Sequence, residues 1–107
     1  MPLVPFRDAK QLSLHFRKHG YKFGVATAAE YERMADAFMF GRMNADTREC
    51  HRPGGRRRCR LDFVVANFGV ANNAPAFLLS FYPPSVSMVA KHGGFSGFFV
   101  FECAKNP

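Results

Sequence analysis

Residues 27–41, "TAAEYERMADAFMFG", place the tightest constraint on what this chain can fold into. Thr27 and Glu30 stand three apart, the spacing at which a hydroxyl and a carboxylate satisfy the free amides of a helix start. Tyr31, Met34, Ala35 and Phe38 then recur at intervals of three and four, so one apolar stripe runs along the helix until Gly41 ends it. Such a stripe has to be buried against other elements of the same domain. A shorter helix is predicted upstream, with Asp8 as its cap, Leu12 and Phe16 facing inward, His19 near its end and Gly20 as a left-handed terminator. The prolines at 2 and 5 keep the opening "MPLVPF" extended.

From about Thr47 the pattern changes to strands. "TRECHR", a "PGG" turn, "RRCRLDFVVA", "FGVA", an "NNAP" turn, "AFLLSFY" and "GFFVFEC" follow in order. "PPSVSMVAKHGG" reads as a surface loop, and Phe98, Phe99 and Phe101 as core positions of a last strand. The expected fold class is α+β, with two N-terminal helices packed on a twisted antiparallel sheet of four to five strands. At 107 residues the chain is one domain, 1–107, able to bury roughly two-thirds of its unfolded surface.

Fifteen Lys and Arg against eight Asp and Glu leave a net charge of +7, which points to a polyanionic partner. The basic residues form two groups: Arg17, Lys18 and Lys22 upstream, and Arg52, Arg56, Arg57, Arg58 and Arg60 within nine positions. The second group reads as a solvated hairpin, as a clamp on an RNA backbone, or as a docking surface for an acidic protein. No stretch reaches the roughly 18 apolar residues of a membrane span, and the N-terminus lacks a signal-peptide plan, so a soluble chain is expected. Cys50, Cys59 and Cys103 show no CxxC spacing. Reduced thiols are the expectation, with a Cys50–Cys59 bridge as the alternative in an oxidising compartment.

"LHFRKHG", residues 14–20, carries two imidazoles and two permanent cations in five consecutive positions. His15 and His19 lie one turn apart, at the edge of the apolar stripe. Cleaving RNA without a metal takes a base for the 2′-OH proton, an acid for the 5′ oxygen, and fixed cations for the charge that develops on phosphorus. His15, Lys18 and His19 on the helix, Arg60 at the head of a strand, and Ser80 and Tyr82 on a later one supply those groups. Period two places Leu78, Ser80 and Tyr82 on one strand face. His15 and His19 have the i, i+4 spacing of zinc ligands, but no Glu stands beside the first and no third ligand is evident, so neither a metal nor another cofactor is expected. His19 can also serve as a cation at a helix C-terminus, and His51 and His92 read as exposed loop residues.

"HFRKHGYKFGVATAAEYERMADAF" resembles the opening of bacterial toxin nucleases in the barnase/EndoU/colicin/RelE-like superfamily, and "RLDFVVANFGV" and "LLSFYPP" resemble later strands of that group. The resemblance implies a metal-independent endoribonuclease, with tRNA among its candidate substrates, that leaves a 2′,3′-cyclic phosphate. It implies His15, Lys18, His19, Arg60 and Ser80 as catalytic residues; the basic clusters and the strand face add Arg17, Lys22, Arg52, Arg56, Arg57, Arg58 and Tyr82 as expected RNA contacts. It further implies a monomer delivered into a target cell's cytoplasm as part of a larger secreted protein, in bacterial competition, and opposed by an acidic immunity protein. A free-standing cytoplasmic protein, or a non-catalytic basic RNA-binding or inhibitor protein of the same fold, is the alternative.

Overall fold

A computed structural model of the chain describes residues 5–52, 55–60, 65–69 and 77–104, with the backbone alone at 52 and 65–69. The elements run α1 (Ala9–His19), a 3₁₀ turn (Gly20–Phe23), α2 (Ala28–Phe40), β1 (Arg48–Arg52), β2 (Gly55–Cys59), β3 (Val65–Gly69), β4 (Phe77–Tyr82), α3 (Val86–Lys91) and α4 (Phe95–Ala104). The class is α+β. The four strands pair antiparallel in chain order, β1-β2-β3-β4.

Both predicted helices form with their caps. The Asp8 carboxylate accepts from the Gln11 amide at 2.8 Å, and the Thr27 hydroxyl accepts from the Glu30 amide at 3.2 Å. Tyr31, Ala35 and Met39 on α2 are buried with Phe6, Leu78 and Phe81, and Leu12, Phe16, Phe23 and Phe38 pack around them. The Tyr31 hydroxyl donates to the Phe81 carbonyl, which satisfies the one polar atom this ring carries into the core. Gly41 ends α2, as its position predicted.

Gly20 is not the left-handed terminator expected of it. Its φ is −55° and it opens the 3₁₀ turn, while Gly24 at φ 72° takes the left-handed position. Gly20 is required for space: a Cβ there would stand 2.4 Å from the Phe16 ring.

The larger departure is at the C-terminus, where the predicted loop contains α3 and the predicted last strand is α4. The chain therefore has four described helices, with α1 and α2 on one sheet face and α3 and α4 on the other. Adjacent strand residues report the two faces. Arg58 bonds the Phe38 carbonyl of α2, whereas Arg57 bonds Glu102 of α4. An unbroken apolar run does not separate a strand from a buried helix, and Phe95, Phe98, Phe99 and Glu102 carry the helical spacing that decides it. Ser85 caps α3 through the Met88 amide. Cys59 and Phe98 are buried between sheet and α4, with Tyr82, Met88, Val89, Phe95 and Phe99 around them.

Three further expectations change. "RRCRLDFVVA" is not one strand, since β2 ends at Cys59 and β3 starts at Val65; the "NNAP" turn lies outside the described residues. A bulge in β4 sets Asn67 opposite Ser80 but Phe68 opposite Leu78. The extra residue turns Leu78 to the α2 face beside Phe81, so Leu78 does not share a face with Ser80 and Tyr82. Cys50 is bonded to Cys103, not to Cys59, so the cysteines are not all reduced; Cys59 is buried and lies outside the bridge. This bridge ties α4 to β1 across 53 residues of sequence.

Residues 5–7 run beside β4 and cover its edge. Leu78 donates its amide to the Pro5 carbonyl at 2.7 Å and accepts from the Arg7 amide at 3.3 Å. The Phe6 amide, turned the other way, donates to Glu32 of α2 at 3.0 Å. The opening segment thus fixes where α1 begins and brings its last turns to the end of β4.

Candidate functional site

The apolar stripe of α1 faces α2, which leaves His15 and His19 at its margin. Phe6 stacks on His15 at 5.6 Å between ring centroids, His15 on His19 at 6.4 Å, and His19 leans on Tyr82 at 5.7 Å. Four rings therefore line the seam between α1 and the β4 edge. The Nδ1 atoms of both histidines are buried and have no hydrogen-bond partner among the described residues. Burial, reinforced by Lys18, lowers the His15 pKa. Burial, then the charges of Lys22, His15 and Lys18, takes His19 down to about 4. Both rings are neutral at pH 7, and a neutral imidazole keeps one lone pair to accept a proton.

Tyr82 is held from its other end. Its hydroxyl donates to Glu102 Oε2 at 2.6 Å, and Arg57 Nη1 donates to the same oxygen at 3.2 Å and to the Glu102 carbonyl at 2.8 Å. Burial raises the Tyr82 pKa, and the hydrogen bond and negative charge of Glu102 raise it further, so the phenol stays protonated. Glu102 is 1% exposed and Arg57 5% exposed. The sequence places Arg57 on a hairpin read as solvated, as an RNA clamp or as a docking surface for an acidic protein, and assigns nothing to Glu102. A lone acid within a phenylalanine run was the available signal, because a buried carboxylate needs a cation.

The other arginines divide in the same way. Arg58 is 6% exposed. It bonds Glu49 at 3.0 Å through Nε and the carbonyls of Phe38 and Gly41 at 3.0 and 2.7 Å, closing the C-terminus of α2. Arg56 pairs with Glu49 at 3.4 Å and lies 5.9 Å from the Phe40 ring centre. Arg52 ends β1. Arg60 lies 5.5 Å from the Phe38 ring centre, on the wall of a cleft at the end of α2.

The cations beside the histidines face solvent: Arg17, Lys18 and Lys22 are all exposed. The ammonium of Lys22 lies 5.7 Å from the ring centre of Tyr21, which is itself 74% exposed. Ser80 is half-buried, two positions from Tyr82 on the α4 side of β4. His15, His19 and Tyr82 are thus joined by ring contacts, with Lys18 beside them, while Arg60 is drawn to α2. His51 is exposed, as expected; His92 is instead half-buried and stacks on Phe101 at 4.1 Å.

Among the described residues no group of three or more His, Cys, Asp or Glu side chains is placed to hold a metal ion, and no helix is long and apolar enough to cross a membrane. No family model, curated protein or solved structure matches the chain.

Proposed function

We propose that this chain is a metal-independent endoribonuclease of the toxin type, cutting RNA at the seam between the last turns of α1 and the edge of β4. The observation that carries the reading is the pair of neutral imidazoles one turn apart, each with a buried Nδ1 that no described residue claims, beside three exposed cations. The order His15, Lys18, His19 on a first helix also agrees with the resemblance to toxin nucleases.

One histidine accepts the 2′-OH proton as the 2′ oxygen attacks phosphorus, and the other delivers a proton to the departing 5′ oxygen. The 2′-O–P bond forms, the P–O5′ bond breaks, and a 2′,3′-cyclic phosphate remains. An acid at pH 7 needs a proton that neither ring holds in the free protein. A bound phosphodiester supplies the bias: its negative charge offsets Lys18 and Lys22 and raises the pKa of the nearer imidazole. Lys18 offsets charge on the phosphoryl oxygens, and Ser80 donates to the same group only for an RNA that passes round the β4 edge to the α4 side. Arg60 completes that role only for an RNA that also reaches the α2 side.

An acidic immunity protein is the partner that suits the net charge. Delivery as part of a larger secreted protein, action in a target cytoplasm and a monomeric state belong to the same proposal. The purified protein should cleave RNA in EDTA and leave cyclic phosphate ends; activity lost in EDTA and restored by a divalent cation would reject the mechanism. The position of Arg60 over Phe38 favours a second reading, a non-catalytic RNA-binding or inhibitor protein. In that case RNA binds without cleavage, and His15→Ala leaves binding unchanged.

A further inference from the structure

The cleft at the end of α2 holds about 240 Å³ and is lined by Met34, Ala37, Phe38, Arg42, Thr47 and Arg60. Three of these, Met34, Ala37 and Phe38, are apolar. Two are arginines, one is a hydroxyl, and none of the described lining residues is an acid. Thr47 is fixed by its amide, which donates to the Asn44 carbonyl at 3.1 Å. Arg58 already closes the carbonyls of Phe38 and Gly41, so the helix end next to the cleft is capped by a third arginine.

We propose that this cleft binds a nucleoside phosphate, with the base against Met34, Ala37 and Phe38 and the phosphate between Arg42 and Arg60. Its volume is below the roughly 300 Å³ at which drug-sized pockets begin, so it admits one ring system and leaves the charged end at the rim. Planar guanidinium groups suit that end, since each offers a phosphate a pair of donors in a fixed fork. Arg60 already lies over an aromatic ring, the arrangement that a base sliding along Phe38 would extend. The site uses no residue of α1. Its choice of a nucleotide over other flat anions rests on the RNA reading above. The nucleotide comes either from an RNA strand or from the free pool, and the chemistry of recognition is the same for both.

The test is an amide NMR titration of the His15→Ala protein with 5′-AMP, 5′-GMP, inorganic phosphate and phenyl phosphate. A nucleotide should shift the amides of Met34, Ala37 and Thr47 saturably. Arg42→Gln and Arg60→Gln should each weaken that binding roughly tenfold, as loss of a charged hydrogen bond does, and Arg17→Gln should not. Arg42 is exposed, so its variant keeps the test clear of any folding defect. Displacement of the nucleotide by a short single-stranded RNA upholds the site and assigns it to RNA; a nucleotide that RNA fails to displace upholds it as a site for a free nucleotide. The proposal is overturned by the absence of saturable shifts at millimolar nucleotide, by shifts that both arginine variants leave intact, or by phenyl or inorganic phosphate binding equally well. Binding in a protein that never cleaves RNA defeats the nuclease reading alone. Cleavage by a native protein whose cleft ignores nucleotides defeats this one alone.

Discussion

His19 is the residue whose ionisation the fold changes most clearly among the histidines, from an ordinary 6.5 to about 4. Between those values the unfolded chain binds the proton more readily than the folded one, so acidification favours unfolding. The contribution of His19 to stability is intact above pH 6.5 and is lost as the pH falls through 4. Urea midpoints measured across this window should drop for the native protein and drop less for His19→Gln; parallel curves would show that the ring is not shielded as described. The same sign applies to activity, because a base with a lowered pKa stays competent in mild acid and the acidic limb of kcat/KM lies below pH 6.5. His15→Ala should reduce turnover roughly a hundredfold or more with the circular dichroism spectrum unchanged, and normal turnover would remove His15 from the site. Glu102 carries a different burden. Glu102→Gln leaves the Arg57 guanidinium buried beside a neutral amide, and breaking such a pair costs about 3–5 kcal/mol in denaturant titration. Arg57→Met combined with Glu102→Leu should recover much of that loss, because it removes both buried charges at once.

At the scale of elements, α4 shows what sequence reading can and cannot see. The two N-terminal helices were legible because their caps and stripes are local: Asp8 to Gln11 and Thr27 to Glu30 span three residues each. Phe98-Phe99-Val100-Phe101 is apolar at every position, so neither alternation nor a polar face shows its period. Its helical state is set by remote partners, namely Arg57, Tyr82 and the Cys50 thiolate that became a disulfide. The histidine pair was legible for the same local reason, whereas Glu102 and the division of the arginines depended on strand register and on which helix covers each face. The bulge in β4 is a second non-local feature, since it reassigns Leu78 without any turn residue to announce it. A bridge closing a loop of this length contributes roughly 4 kcal/mol. Cys50→Ser with Cys103→Ser should lower stability by about that amount, and hydrogen exchange should show α4 losing protection before the strands. Uniform loss across the sheet would mean that α4 is held by Glu102 and its apolar contacts alone.

For the whole molecule the net charge of +7 overstates what faces a polyanion. Arg57 and Arg58 spend their guanidinium groups on Glu102, Glu49 and backbone carbonyls, and their burial serves cohesion between the layers. Arg17, Lys18 and Lys22 are exposed around the histidine seam. These three are the cations that a single-stranded RNA meets first under the proposed reading. Each phosphate neutralised on a single strand contributes about −0.7 to the slope of log affinity against log salt. Replacing Arg17, Lys18 and Lys22 together with Gln should therefore flatten the slope by about 2 and leave the unfolding midpoint nearly unchanged, since exposed charges contribute little to stability. Arg58→Gln should do the reverse, lowering the midpoint with no change in slope, because a side chain held by Glu49 and the end of α2 releases no counterions from RNA. The two variants thus separate the charge that binds from the charge that holds the fold. A slope that survives the triple replacement but flattens in folded Arg58→Gln protein would move the RNA interface from the α1 seam to the arginine hairpin.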